Sequence, residues 1–376
     1  MVYNVKHDGC HKARYVAGGH LTEPNEESVY SGVVSLRGIR LTVFLAELNK
    51  LTLWGADVGN AYLEAKTREK VYIMGGPEFG ALEGHTLVIV KALYGLRSSG
   101  LCWHQRFADV MRALGFLQCR SDNDIWMHSC GDHYEYVAVY VDDLLIASKN
   151  PERITKALQV DHGFKLKGVG LLTYHLGCDY FRDSDNTLCF GPKKYIAKIT
   201  EQYEQMFGSK PKEYASPLEK GDHPETDTSE ELDHDGIKKY QTMIGCLQWA
   251  VSLGRFDIHT AIMTMSRFRA APRIGHLERL KRIYGYLRKF DLAAILVRTA
   301  KPDFTALPAQ DFDWCDTIYG KVEEHMPKDC PKPLGKPVVT VIYKDANLYH
   351  DLLTAQSVTW ILHFCNQTLI DWYLKR

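Results

Sequence analysis

The chain lacks any apolar run long enough to cross a bilayer, and it lacks a signal-peptide pattern, so no membrane partner is expected. It also lacks an excess of charge of one sign, because 46 Lys and Arg balance 46 Asp and Glu. A polycation is thereby excluded, and a nucleic-acid partner would need local basic patches. Its ten cysteines form no CxxC pair and no Cys/His group with zinc spacing. Such usage suggests reduced thiols in a cytosolic or nuclear setting. Internal repeats and low-complexity tracts are missing too. What remains is ordinary globular composition: 376 residues, 45% hydrophobic, with seven Trp and 21 Tyr. That length allows two or three domains, and the aromatics argue against disorder over most of it.

The stretch from Tyr136 to Ser148 organises the rest. Two runs rich in Val, Tyr, Leu and Ile read as strands, with Asp142 and Asp143 between them. Adjacent carboxylates cost stability when partly buried, unless a cation or a donor compensates them. Oxygen ligands of this kind suit Mg²⁺ or Mn²⁺. A hairpin turn that simply contains two Asp is the alternative.

A further strand, 51–56, ends at Asp57 and runs into Val58-Gly59-Asn60-Ala61-Tyr62-Leu63. An acid there stands at the lip of a site, or caps a helix. Near the start, Lys12 and Arg14 precede the Gly18-Gly19 pair. They can grip a polyphosphate, or form a solvated strand face.

Periodicity predicts helices over 34–50, 101–114, 151–161, 193–207, 237–253, 258–270 and 272–289. Strands are expected over 71–74, 87–90, 164–167, 171–180, 338–344, 358–364 and 368–374, with Gly168 and Gly170 marking a turn. The stretch Glu219–Gly236 holds eight acids and one lysine, and reads as a mobile, solvated linker. From Arg267 to Lys289 there are eight cations and one Glu, interleaved with Phe268, Tyr284 and Tyr286. That face, which includes Arg279, Lys281 and Arg282, either tracks a phosphate backbone or is a solvated basic helix. Residues 301–336 read as a connection.

Three acids brought from separate strands are what template-directed nucleotide addition requires. A 3′-hydroxyl attacks an α-phosphate while two Mg²⁺ ions about 4 Å apart activate it and neutralise charge. The protein mainly positions the reactants and compensates charge. An aromatic beside the first acid, Tyr62, can pack on the sugar and reject a 2′-hydroxyl.

Recognisable residues appear at this point. Tyr140-Val141-Asp142-Asp143 resembles the catalytic box of reverse transcriptases, and Asp57–Leu63 resembles their first metal-binding box. The run Lys91-Ala92-Leu93-Tyr94-Gly95-Leu96-Arg97, then Trp103, resembles the copia-type retrotransposon branch. So do Lys12–Ala17, Tyr174-His175-Leu176-Gly177, Tyr240–Leu247, Arg255-Phe256-Asp257-Ile258 and Lys281–Leu287. The boxes occur in family order.

The resemblance implies an α+β right-hand polymerase. Fingers and palm would occupy 1–216, an acidic linker 217–236, a helical thumb 237–292 and a connection 293–336. A truncated ribonuclease H-like α/β segment would fill 337–376. By the same resemblance, Asp57, Asp142 and Asp143 are catalytic and bind two Mg²⁺ or Mn²⁺ ions, with help from the Val58 carbonyl. Lys12, Arg14, Tyr62 and Ser98 would contact the deoxynucleoside triphosphate. Tyr140, Val141, Arg279, Lys281 and Arg282 would contact an RNA or DNA template with its primer.

Ser98 stands where the family usually has Gln, and a shorter reach would alter nucleotide affinity or fidelity. The sequence starts shortly before the Lys12 motif. Asp345 matches the first ribonuclease H acid, but the sequence stops before the next, so no ribonuclease H activity is expected. A fragment of a mobile-element polyprotein is implied, in a cytoplasmic virus-like particle or the nucleus. The competing expectation is a catalytically inactive remnant that only binds nucleic acid. Oligomeric state is not legible.

Overall fold

The computed structural model describes all residues except 6–10, 23–27, 307–313, 319, 321–324, 326, 329, 348–350 and 376. In chain order, strands β1 (Val2–Val5) and β2 (His11–Arg14) pair as a hairpin. Helix α1 (Leu36–Asn49) begins at Ser35, whose hydroxyl accepts from the Gly38 N–H at 2.9 Å. Strand β3 (Thr52–Val58) follows, then a small hairpin of β4 (Tyr72–Met74) and β5 (Thr86–Val88). Helix α2 (Ser99–Ala113) leads to β6 (Leu117–Gln118), β7 (Ile125–Ser129), β8 (Tyr134–Tyr140) and β9 (Asp143–Ser148). Helix α3 (Pro151–Lys156) and β10 (Leu166–Leu171) complete this part.

These strands build a six-stranded antiparallel sheet in the order β10-β3-β9-β8-β7-β6. Both of its faces are covered. Val137, Val139, Leu144 and Ile146 pack on one side with Trp103, Phe107 and Met111 of α2 and Ile154 of α3. Tyr136, Ala138, Leu145 and Ala147 pack on the other with Val43 and Phe44 of α1. Burial on both faces explains why β8 and β9 read as near-continuous apolar runs. The turn expected at Gly168 and Gly170 is instead an irregularity inside β10, where pairing with β3 shifts register between Lys167 and Gly170.

A second sheet joins β11 (Tyr174–His175), β12 (Cys178–Arg182), β13 (Leu188–Gly191) and, after the helices, β14 (Ile295–Leu296). Four helices pack beside it: α4 (Lys193–Phe207), α5 (His234–Ser252), α6 (His259–Ser266) and α7 (Ile274–Lys289). A separate sheet of β15 (Thr340–Asn347), β16 (Val358–Cys365) and β17 (Thr368–Lys375) ends the chain. It docks through β17: Arg40 of α1 stacks on Trp372 at 3.9 Å and donates to the carbonyls of Ile370 and Ser252. Among the described residues, no helix is long and apolar enough to cross a membrane.

The acidic stretch 219–236 is not the solvated linker its composition suggests. It is a packed strap along α7. Arg279 donates to both carboxylate oxygens of Asp222, at 2.8 Å from Nε to Oδ2, and to Asp227 at 2.6 Å. Arg282 bonds Glu219 at 2.8 Å, and Arg273 bonds Glu231 at 3.2 Å. The buried His276 bonds the Pro224 carbonyl at 2.9 Å. Composition hides this packing, because Glu219, Asp222, Asp227 and Glu231 each meet an arginine more than 40 residues away.

Candidate active site

The acids meet because of strand register. Asp57 of β3 stands directly opposite Asp143 of β9, so both side chains share one face of the sheet. Asp142 sits in the two-residue turn between Tyr140 and Asp143, which are themselves paired. The backbone ties the two acidic segments together, since the Val58 N–H donates to the Asp142 carbonyl at 2.8 Å.

The turn is strained. Val141 adopts φ of +57°, a left-handed value that a β-branched side chain disfavours. Such a residue costs about 1–3 kcal/mol and persists only where the surroundings hold it. Trp103 supplies that hold, with its indole N–H donating to the Val141 carbonyl at 2.7 Å. The ring is fixed in turn by Phe107 and Phe164, each 5.5 Å away.

The site is short of positive charge. Burial first, then Asp142 and Asp57, pushes the Asp143 carboxyl up to about 6. Asp142 is also raised, by burial and by Asp57, while a backbone hydrogen bond, Lys12 and Arg14 oppose the rise. Lys12 and Arg14 therefore face this carboxylate from β2. Their strand is seated by a close backbone approach: the Ala17 N–H donates to the Tyr94 carbonyl at 2.7 Å, and Arg97 donates to the Gly19 carbonyl at 2.9 Å. A Cβ on Gly19 would lie 2.1 Å from the Gly95 carbonyl oxygen, so the crossing requires glycine there.

Tyr62 lies on a short 3-10 turn, Ala61–Glu64, that follows Asn60. Its ring packs on Tyr94 at 5.0 Å, and the Arg14 guanidinium covers Tyr94 at 5.1 Å. Burial and then Asp142 push the pKa of the Tyr62 hydroxyl up, so the phenol borders the acidic turn. Asp57, Asp142, Asp143, Lys12, Arg14 and Tyr62 are thus brought together, with Tyr140 and Val141 at the same hairpin.

Other sequence candidates lie elsewhere. Ser98 is 4% exposed and its hydroxyl is sealed from solvent without a partner, so it is not presented to the cleft. Arg279 and Arg282 are engaged by the strap, and Lys281 bonds Glu278 at 2.7 Å over the Phe207 ring. Asp345 is exposed on β15 of the separate sheet.

Two residues escaped the sequence reading as site members. Trp103 carried only a resemblance, with nothing to reveal its bond to the turn. Lys167 stands opposite Asp57 on the other flank of β3, completing a row of Lys167, Asp57 and Asp143. Its position depends on the β10 irregularity.

The family model described as "Reverse transcriptase (RNA-dependent DNA polymerase)" matches residues 1–218. The chain belongs to the reverse transcriptase family. It is 26% identical over 308 residues to the putative transposon Ty5-1 protein of Saccharomyces cerevisiae, covering 81% of this chain and 91% of that protein. It is 28% identical over 282 residues to the retrovirus-related Pol polyprotein from transposon RE1 of Arabidopsis thaliana. There the match covers 74% of this chain and 19% of the polyprotein. The corresponding polyprotein from transposon TNT 1-94 of Nicotiana tabacum is 28% identical over 302 residues, covering 76% of this chain and 23% of the polyprotein. This reverse transcriptase relative therefore spans most of the yeast protein and a minor part of each Pol polyprotein. The matched family region ends before the helices α5–α7 and the terminal sheet.

Proposed function

We propose that the chain is a copia-type reverse transcriptase that extends a primer on an RNA or DNA template with deoxynucleoside triphosphates. The observation that carries the reading is the register placing Asp57 opposite Asp143, with Asp142 clipped to Val58 one residue away. The series of copia-like boxes from Lys12 to Leu287 supports the branch, and the transposon relatives support the mobile-element origin.

The donor set fits hard divalent cations. Every candidate ligand is an oxygen, from Asp57, Asp142, Asp143 and the Val58 carbonyl. Mutual repulsion and burial of the acids mark a site that a cation would relieve. Two Mg²⁺ or Mn²⁺ ions bound there would activate the primer hydroxyl and neutralise charge on the phosphates.

The chain's own residues do the positioning. Lys12 and Arg14 attract the triphosphate toward the acidic turn. Tyr62 and Tyr94 form an aromatic wall against the sugar. Tyr140 and Val141 meet the primer end, and Trp103 keeps the turn in one geometry.

A second reading, a remnant that binds nucleic acid without extending it, draws on the sealed hydroxyl of Ser98. Primer extension on an RNA template, wild type against Asp142→Asn, separates the two. Extension by the wild type and not by the variant supports polymerase activity. No extension by either, with retained template binding, supports the remnant. Equal extension by both removes the assigned site.

A further inference from the structure

Among the described residues, one group of three side chains gathers metal-ligating atoms within 4.8 Å of each other: His128, Cys130 and Glu135. It lies away from the acidic turn. Glu135 is five residues from Tyr140 on β8, roughly 17 Å by strand rise.

Sheet geometry builds the group. His128 of β7 is paired directly with Glu135 of β8, so the two side chains share a face. Cys130 is two residues beyond His128 and keeps that face. The hairpin end folds it back, with the Cys130 N–H donating to the His133 carbonyl at 2.9 Å. The Cys130 Sγ lies 3.4 Å from His128 Nδ1, and that nitrogen lies 3.8 Å from Glu135 Oε2.

We propose that these three side chains bind one zinc ion. Zinc takes sulfur, nitrogen and oxygen donors together in tetrahedral sites. With the usual bond lengths, a tetrahedral edge is about 3.6 Å for sulfur to nitrogen and about 3.4 Å for nitrogen to oxygen. The observed separations are within about 0.4 Å of those edges, so an ion fits with small side-chain shifts.

The surroundings suit a ligand set. Glu135 is 4% exposed, and its carboxylate accepts from Ser148 Oγ and from Arg153 at 2.5 Å. A carboxylate has about four acceptor positions, so two remain for a cation. Hydrogen bonds of this kind orient metal-binding carboxylates. The His128 ring is held against Phe116 at 5.1 Å. His128 also lines a cavity of about 730 Å³ beneath residues 330–334, which gives solvent a route to the fourth position. An ion there would pin β7 to β8 at the sheet end where Gly335 bonds the Asp132 carbonyl at 2.9 Å. Sequence spacing misses the site because its third donor comes from the opposite strand.

The test uses the full chain, freed of metal and titrated with Zn²⁺ and separately with Co²⁺. One thiolate-ligated equivalent, read by a thiolate-to-cobalt absorption band, is expected. Cys130→Ser should abolish the band, and His128→Gln, which removes a direct ligand, should weaken Zn²⁺ binding by more than the roughly 10–100-fold that loss of an outer-shell partner costs. Asp142→Asn should leave the thiolate band unchanged. Because a variant can misfold, alkylation of the wild type is mapped cysteine by cysteine. Zn²⁺ should protect Cys130 selectively. A band that survives Cys130→Ser, or Cys130 alkylation unaffected by Zn²⁺, would overturn the assignment and leave a plain hydrogen-bonded cluster.

Discussion

The Trp103 indole N–H holds the Val141 carbonyl at 2.7 Å, and Val141 is the strained residue next to Asp142. A packing residue on α2 thereby fixes the geometry of the acidic turn. Trp103→Phe keeps most of the ring contacts with Phe107 and Phe164 but removes the donor. The turn should then sample other conformations. Expected is a roughly 10–100-fold fall in kcat for nucleotide addition, with a smaller change in KM. A proportionate loss of folded protein with unchanged kcat per folded molecule would show that Trp103 is only structural.

Asp143 gives a pH signature without divalent cations. Its folded carboxyl titrates near 6, above the unfolded value of about 4. The native state then holds a proton that the unfolded state has lost, so stability falls as pH rises through that window. Asp143→Asn should be more stable than the wild type above the window, by about 1 kcal/mol after solvent screening. Below about pH 4 the difference should vanish. Thermal melts across this range check it, and Mg²⁺ should narrow the gap at the upper end.

Tyr62 faces the acidic turn with Tyr94 behind it. Trimming the ring opens space at the sugar. Tyr62→Ala should raise the use of ribonucleotides relative to deoxynucleotides by about tenfold or more, since a steric gate worth about 1.4 kcal/mol changes selection by that factor. Competition assays in single-nucleotide extension measure the ratio. An unchanged ratio would place the sugar elsewhere.

The strap over α7 carries stability. Burial pushes Asp227 up, but hydrogen bonds from Ser229 and Arg279 outweigh it and hold the carboxyl down to about 2. That contribution is present above the unfolded value near 4 and is lost as pH falls toward the folded one. Asp227→Ala should cost about 2–3 kcal/mol at neutral pH, because it leaves part of the Arg279 charge unpaired. Urea melts should show the gap shrinking in acid. No gap at neutral pH would mean that Asp222 alone satisfies Arg279.

Much of this was legible in residues of fixed period. The apolar runs on either side of Asp142 and Asp143 gave β8 and β9, and the helix over 193–207 matches α4 residue for residue. The acids and Tyr62 were legible because the chemistry needs those types beside strand ends. The rest depended on contacts between distant residues. The strap read as solvated because Asp222 and Arg279 are 57 positions apart. Gly168 and Gly170 read as a turn because a bulge and a turn use the same residue. The strain at Val141 left no mark, since Val is ordinary in strands. Strand β13 was missed because its four residues are too few to show a period.

We propose that the carboxylates on β3 and in the β8–β9 hairpin form one catalytic centre. Single-nucleotide extension of a DNA primer on an RNA template tests it most directly, using the wild type, Asp57→Asn and Asp142→Asn with Mg²⁺. Extension by the wild type and its loss in each variant are expected, with primer-template affinity retained in both. Wild-type extension that survives either substitution at an undiminished rate would contradict it.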